Sequence, residues 1–247
     1  MLRLIVDLNP IDPALGLALE EALFAGIGDG TDDILRIWVN KRSVIIGRSQ
    51  SARSEVDLAH LRDLSIPVRR RISGGGAVYH YPGNLNLSLF LRDGRHLGTV
   101  SGAYTAIGGM IVSALSEIGI DANVEGNTLL IGEKKIAGAA QARRGSILLY
   151  HTTLLVFPSH VPIDSVLLAM HKSYKPDFVA SHPRSVACLS QITSGIRLEI
   201  LTRTLNEELA DGMDQELREG SYTEEELKCA KRLQIDKYES DEWNLSR

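Results

Sequence analysis

Residues 146–157 read SILLYHTTLLVF, an almost unbroken apolar run. It is well short of the roughly 18–20 residues a membrane-spanning helix needs. A strand that is apolar on both faces must be covered on both faces, so this run is predicted to lie in the middle of a sheet. His151 and Thr152 interrupt it. Polar groups inside such a strand must find hydrogen bonds. Taken alone, the pair reads first as a satisfied core histidine and threonine, with a place in a site as the alternative.

The rest of the chain supplies the covering layers. Residues 12–27 predict a helix, with Asp12 as N-cap, Pro13 at the first helical position, and Leu15, Leu19, Ala22 and Leu23 on one face. Residues 34–40 and 43–47 predict strands joined by a tight turn at Lys41–Arg42, and 54–64 a helix burying Val56, Leu58, Leu61 and Leu64. Residues 84–92 alternate as a strand does. Residues 101–119 predict a long helix from Ser101 to Gly119. Two strands with a turn follow within 121–144. Residues 161–171, 195–217 and 223–234 predict helices, the last opened by a Thr223/Glu226 capping box. Strands with interspersed helices, then helices, imply an α+β fold. We expect a mixed or antiparallel sheet covered by helices, one domain over residues 1–247, and a helical C-terminal portion from about residue 196. Alternating βαβ units are not indicated.

Composition excludes several functions. Two cysteines, Cys188 and Cys229, make neither a disulfide scaffold nor a zinc cluster. There is no HExxH and no GxxxxGK[ST]. The net charge is −4, and the acidity is concentrated in residues 196–247, with 8 basic against 14 acidic side chains. A mildly basic body with an acidic tail does not indicate nucleic-acid binding. The start, MLRLIVDLNP, lacks the pattern of a secretory signal, so the expectation is a cytoplasmic protein without membrane contact.

Two further segments carry chemistry. Residues 69–84, RRRISGGGAVYHYPGN, place three glycines between two strands. Each glycine loses more backbone entropy on folding than alanine does, about 0.5–1 kcal/mol in regular structure. Glycines allow positive φ and let a ligand lie on backbone N–H groups. The arginines supply planar charged donors suited to a phosphate or carboxylate. A flexible hairpin loop beside a solvated basic face fits the same residues. Residues 132–144, GEKKIAGAAQARR, put Lys134 and Lys135 on opposite faces of a strand, followed by small residues that let something bulky approach the backbone. For either lysine alone, a surface lysine beside a tightly packed strand fits better. His80, between Tyr79 and Tyr81, reads like His151.

Together, RRRISGGGAVYHYPGN, GNTLLIGEKKIAGAA and YHTTLLV, with SVIIGRSQ at 43–50 and the C-terminal KYESDEWN, resemble the lipoate–protein ligase A family over nearly the whole chain. The resemblance implies ATP-dependent activation of lipoate to lipoyl-AMP, then transfer to a lysine of a lipoyl-acceptor protein. It implies that Gly74, Gly75 and Gly76 border the adenylate and that Arg70 and Arg71 hold anionic groups. Ser73, Ala77, Val78, His80, Asn84, Gly138 and His151 would share the pocket. Lys135 matches the catalytic lysine that contacts the adenylate phosphate and acyl oxygen. Mg²⁺ would arrive with ATP.

The chain departs from the family in three places. It reads Asn127-Thr128-Leu129 where the family has Asn-Asp-Leu, so a protein ligand for Mg²⁺ there is unassigned. Tyr81 stands where aspartate is common. The chain also ends without room for the C-terminal domain of single-chain bacterial members. It is similar instead to archaeal-type ligases whose accessory domain is a separate subunit, and dependence on such a subunit is expected. Three rivals remain. One is an ATP-independent octanoyl- or lipoyltransferase using a cysteine, for which Cys188 is the available thiol. Another is a biotin–protein ligase, whose Gly-Arg-Gly-Arg loop is absent. The third is a lipoate-binding protein without catalysis.

Overall fold

The computed structural model describes residues 1–246. Its strands are β1 (Leu2–Ile11), β2 (Asp33–Asn40), β3 (Ser43–Ile46), β4 (Val68–Arg70), β5 (Val78–His80), β6 (Asn84–Leu91), β7 (Asn123–Glu125), β8 (Thr128–Ile131), β9 (Lys134–Arg144), β10 (Ile147–Leu155) and β11 (Leu217–Glu219). Its α-helices are α1 (Pro13–Gly26), α2 (Ala52–Glu55), α3 (Leu58–Asp63), α4 (Val100–Glu117), α5 (Ile163–Val166), α6 (Leu189–Ile192), α7 (Leu198–Gly212), α8 (Glu224–Leu233) and α9 (Asp241–Asn244).

The apolar run becomes β10 and lies between β6 and β9, antiparallel to both. The full sheet has the order β11-β1-β2-β6-β10-β9-β8-β7 and is mixed, because β1 pairs in parallel with β2 and β11. One face is covered by α4 and α7, whose Ile107, Ile111, Leu201 and Leu205 join a core with Leu35, Leu87 and Leu148. The other face receives α1. Asp12 caps it by accepting from the N–H groups of Ala14 (2.9 Å) and Leu15 (3.2 Å), and Leu17 and Ala18 meet Trp38 and Ala230 of α8. No helix among the described residues is long and apolar enough to cross a membrane.

The predicted hairpin at Lys41–Arg42 does not form. Both edges of β2 are already taken by β1 and β6. The chain therefore leaves the large sheet at Asn40 and re-enters as β3 in a separate three-stranded sheet, β4-β3-β5. The predicted helix 54–64 is interrupted where Asp57 caps a new start, accepting from Ala59 and His60 N–H. α4 begins at Val100, capped by Thr99 rather than Ser101. The helix expected over 161–171 shrinks to α5 plus a single 3₁₀ turn at Leu168–Met170. The helix expected over 195–217 stops at Gly212, because Leu217–Glu219 is drawn out as a strand along β1. The C-terminal portion is otherwise helical, and α8 carries its capping box.

Candidate active site

A cavity of about 410 Å³ opens between the large sheet and the glycine turn. Its floor comes from β2, β6, β9 and β10, and one wall from Gly76, Ala77 and Val78. The mouth lies between the β7–β8 turn and the 181–184 segment.

The glycine turn is shaped by contact rather than flexibility. Gly75 has φ +85°, a left-handed conformation that favours glycine. A Cβ on Gly47 would lie 2.1 Å from the Gly75 carbonyl oxygen, so two backbones touch there. Arg71 ties the turn from within. Its guanidinium donates to the carbonyls of Ile45 (3.2 Å), Gly74 (2.6 Å) and Gly76 (2.8 Å), and its Nε to Ser73 Oγ (2.9 Å). Burial pulls Arg71 down to about 10, against the opposing charge of Glu20, so it remains a cation.

A hydrogen-bond chain runs along the floor. Ser73 Oγ is 2.6 Å from His151 Nε2, and His151 Nδ1 is 2.9 Å from Glu20 Oε1. Ser88 donates to the same carboxylate oxygen (2.6 Å) and accepts from Trp38 Nε1 (3.0 Å). Arg71 and Trp38 can only donate, so Ser73 Oγ and Ser88 Oγ accept from them, and Ser88 donates to Glu20. The two ring nitrogens of His151 join Ser73 to Glu20. Burial alone would raise the Glu20 carboxyl. The charge and hydrogen bond of His151, the Ser88 hydroxyl and Arg36 outweigh it, and the group lies below its ordinary value. Ser73–His151–Glu20 has the order of a nucleophile, base and acid. However, Ser73 is 1% exposed and holds the Arg71 Nε–H, so no substrate reaches its oxygen. This chain sets the polarity and shape of the floor.

Lys135 enters from the other side. The β8–β9 register slips between Leu129 and Leu130, a bulge that re-aims the start of β9. The Lys135 backbone is held by Ser185 O (2.8 Å) and by Ala187 N–H (3.0 Å). Its ammonium lies over Gly138, where a Cβ would sit 2.7 Å from Nζ. Among the described residues no carboxylate pairs with it. Burial, then Arg184 and Arg71, push it below the usual lysine range. Lys134 is exposed.

His80 lines the cavity as a neutral ring. Asn40 Nδ2 donates to its Nδ1 (2.9 Å), and Nε2 donates to Thr153 Oγ1 (2.9 Å), which donates to Asn86. Burial, helped by the charge of Arg71, lowers it to about 3.

Some predicted site residues lie elsewhere. Arg70 does not line the cavity. Its guanidinium donates to the carbonyls of Gly47, Arg48, Gln50, Trp243 and Asn244, clamping α9 onto β4. Asn84 turns away and donates to Tyr79 O (2.9 Å). Gly74 and Gly75 shape the turn from behind, and only Gly76 of the three borders the space. Cys188 is buried 3.7 Å from the Tyr81 hydroxyl and does not line the cavity, and burial raises its thiol. The residues missed in the sequence are Glu20, Trp38 and Ser88 on the floor, and Glu125, Ser181 and Arg184 at the wall and mouth. Only Glu20, one of the adjacent pair Glu20–Glu21 in an otherwise apolar helix, left a signal, and nothing local told the two apart. Among the described residues no group of three or more His, Cys, Asp or Glu side chains is arranged to hold a metal.

Residues 12–210 match the model of the lipoyl protein ligase A/B catalytic domain. The chain belongs to this family. Three solved ligases align over nearly its full length. The bipartite lipoate protein ligase of Thermoplasma acidophilum, described with its E2 lipoyl domain, is 31% identical at a TM-score of 0.86, over 98% of this chain and 95% of that one. A lipoate protein ligase of T. acidophilum with bound lipoic acid is 29% identical at 0.84, over 99% of both chains. A lipoate–protein ligase A bound with ATP is 30% identical at 0.82, over 98% of both. In this lipoyl ligase family member, Leu17, Trp38 and Ile45 give the cavity an apolar side, and Arg71, Lys135 and Arg184 give it a cationic one.

Proposed function

We propose that this chain is the catalytic subunit of a lipoate–protein ligase. It activates lipoate with ATP to lipoyl-AMP, releases pyrophosphate, and passes the lipoyl group to a lysine of a lipoyl-acceptor protein. It works with a separate accessory subunit, in the cytoplasm where ATP is supplied. One observation carries the reading: the half-buried, unneutralised Lys135 ammonium shares a cavity with Arg71 and with an apolar slot.

The chemistry follows from that arrangement. A lipoate carboxylate oxygen bonds to the α-phosphorus and the bond to pyrophosphate breaks. Negative charge grows on the phosphoryl oxygens while two anions are pressed together. Cations fixed in advance in a partly desolvated site stabilise that charge without reorganising. Lys135 and Arg71 supply them. In the second step an uncharged acceptor amine attacks the acyl carbon and AMP leaves. Lys135, held at the mixed anhydride, polarises the carbonyl. Leu17, Trp38 and Ile45 suit the apolar acyl tail, and the His151–Glu20 chain gives that floor a fixed polar edge. The magnesium of Mg-ATP neutralises phosphate charge. Thr128 and Glu125, oxygen donors at the mouth, have the hard-ligand chemistry to meet it.

The test is pyrophosphate release with lipoate and Mg-ATP, followed by mass spectrometry of an acceptor lipoyl domain, with the accessory subunit present. Wild type releases pyrophosphate and adds one lipoyl group. Lys135→Ala folds and does neither. Absence of both products from wild type under those conditions overturns the reading.

A further inference from the structure

Among the described residues, two carboxylates line the cavity, Glu20 and Glu125. Glu20 is committed on the floor to His151 and Ser88. Glu125 stands at the mouth on β7, directly across the ladder from Thr128. There it pairs with Arg184, which belongs to the opposite wall of the opening. Both side chains are well exposed, Glu125 at 56% and Arg184 at 40%.

We propose that this pair is a latch that Mg-ATP opens by exchange: Glu125 turns to the nucleotide-bound magnesium and Arg184 to the β- and γ-phosphate oxygens. This rests on the ligase reading and goes beyond it by making the Glu125–Arg184 pair a switch between two sets of partners and by assigning the residue that faces the polyphosphate.

Three physical points support it. First, magnesium in nucleotide sites is held by one or two carboxylates plus substrate phosphates, rather than by a protein cage. The described residues hold no acidic or histidine cluster, and they leave one cavity carboxylate for the role. Second, Arg184, Lys135 and Arg71 are like charges around one space, and Arg184 is among those pressing on Lys135. With no phosphate present, Glu125 neutralises the outermost of the three. When a polyanion enters, that cation is more useful on phosphate, where its planar fork makes charge-assisted bonds. Third, an exposed ion pair is held weakly, so the exchange meets little resistance. Each partner leaves with a better one: the carboxylate gains a divalent ion and the guanidinium gains a polyphosphate.

The experiment is isothermal titration calorimetry of ATP into the whole chain, in Mg²⁺ and in EDTA. Wild type is compared with Glu125→Gln and Arg184→Ala. Enhancement of water-proton relaxation by Mn²⁺ in the presence of ATP reports metal contact independently of turnover. Wild type binds ATP more tightly with Mg²⁺. Glu125→Gln loses about tenfold of that metal-dependent gain, loses the Mn²⁺ enhancement, and binds metal-free ATP at least as well as wild type. Arg184→Ala binds about tenfold more weakly with or without metal. Because both positions are exposed, both variants melt within about 2 °C of wild type. A Glu125→Gln variant that keeps the full Mg²⁺ gain and the Mn²⁺ signal overturns the latch while leaving the ligase reading standing. A wild-type chain that binds no ATP in either condition, alone and with the accessory subunit present, overturns both.

Discussion

Removing the Arg70 side chain tests whether it is a clamp or a ligand-binding group. The sequence pairs it with Arg71 as an anion holder. The structure has it donating to five backbone carbonyls on two separate segments, residues 47–50 and 243–244. Its own N–H reaches Asn244 Oδ1 (2.9 Å), and its carbonyl accepts from Trp243 Nε1 (2.8 Å). In Arg70→Met the apolar stem persists and the donors vanish. The bonds to Gly47, Gln50 and Asn244 are fully buried; Gly47 O keeps the Gln50 N–H (3.1 Å), while the Gln50 and Asn244 carbonyls lose partners that water does not readily replace. An orphaned buried acceptor costs about 1–3 kcal/mol, and relaxation favours the low end. Those two, with the weakened contact at Gly47, give a loss of about 3 kcal/mol, in the range for breaking a buried charged network. At about 2–4 °C per kcal/mol for a chain of this size, the melting temperature falls by roughly 10 °C. Circular dichroism on heating measures that. Calorimetry well below the transition then measures ATP and lipoate affinity, which Arg70→Met leaves near wild type. Arg71→Met, by contrast, weakens both ligands. If Arg70→Met melts within about 2 °C of wild type while ligand affinity collapses, the guanidinium faces the ligand and the clamp argument is wrong.

Gly138→Ala places a methyl 2.7 Å from Lys135 Nζ, so the ammonium is displaced. Adenylation in single-turnover assays should fall by about 10²-fold, as for a misplaced catalytic group, with little change in melting temperature. His80 is held at about 3 when folded, against roughly 6.5 unfolded. The unfolded chain therefore takes up the proton first as pH falls. This stability term is complete above about pH 6.5 and is lost progressively toward pH 3. Urea midpoints across that window should slope for wild type and flatten in His80→Gln. Cys188→Ala should retain ATP-dependent lipoylation, measured by mass shift of the acceptor, because Cys188 does not line the cavity. Loss of acyl transfer with adenylation intact would revive cysteine chemistry.

Much of the architecture was legible because its signals are local. β10 is apolar on both faces and therefore central. Asp12-Pro13 starts α1, and Thr223/Glu226 starts α8. Where local signals compete with neighbours, the neighbours decide. Residues 41–42 make a good turn, but the edges of β2 are occupied, so β3 joins another sheet. Leu217–Glu219 continues a helical pattern, yet β1 offers a free edge.

The site divides along the same line. The residues themselves singled out the glycine turn, where φ is above zero at Gly75, and it was the family resemblance that singled out Lys135 and His151, which by local pattern read as a surface lysine and a core histidine. Which of two adjacent arginines faces the cavity, that Glu20 from a helix more than a hundred residues away completes the floor beneath His151, and that Glu125 meets Arg184 across the mouth were decided by tertiary structure. Side-chain direction depends on what the opposite wall offers. That wall is built from residues distant in the chain, so no local pattern records it.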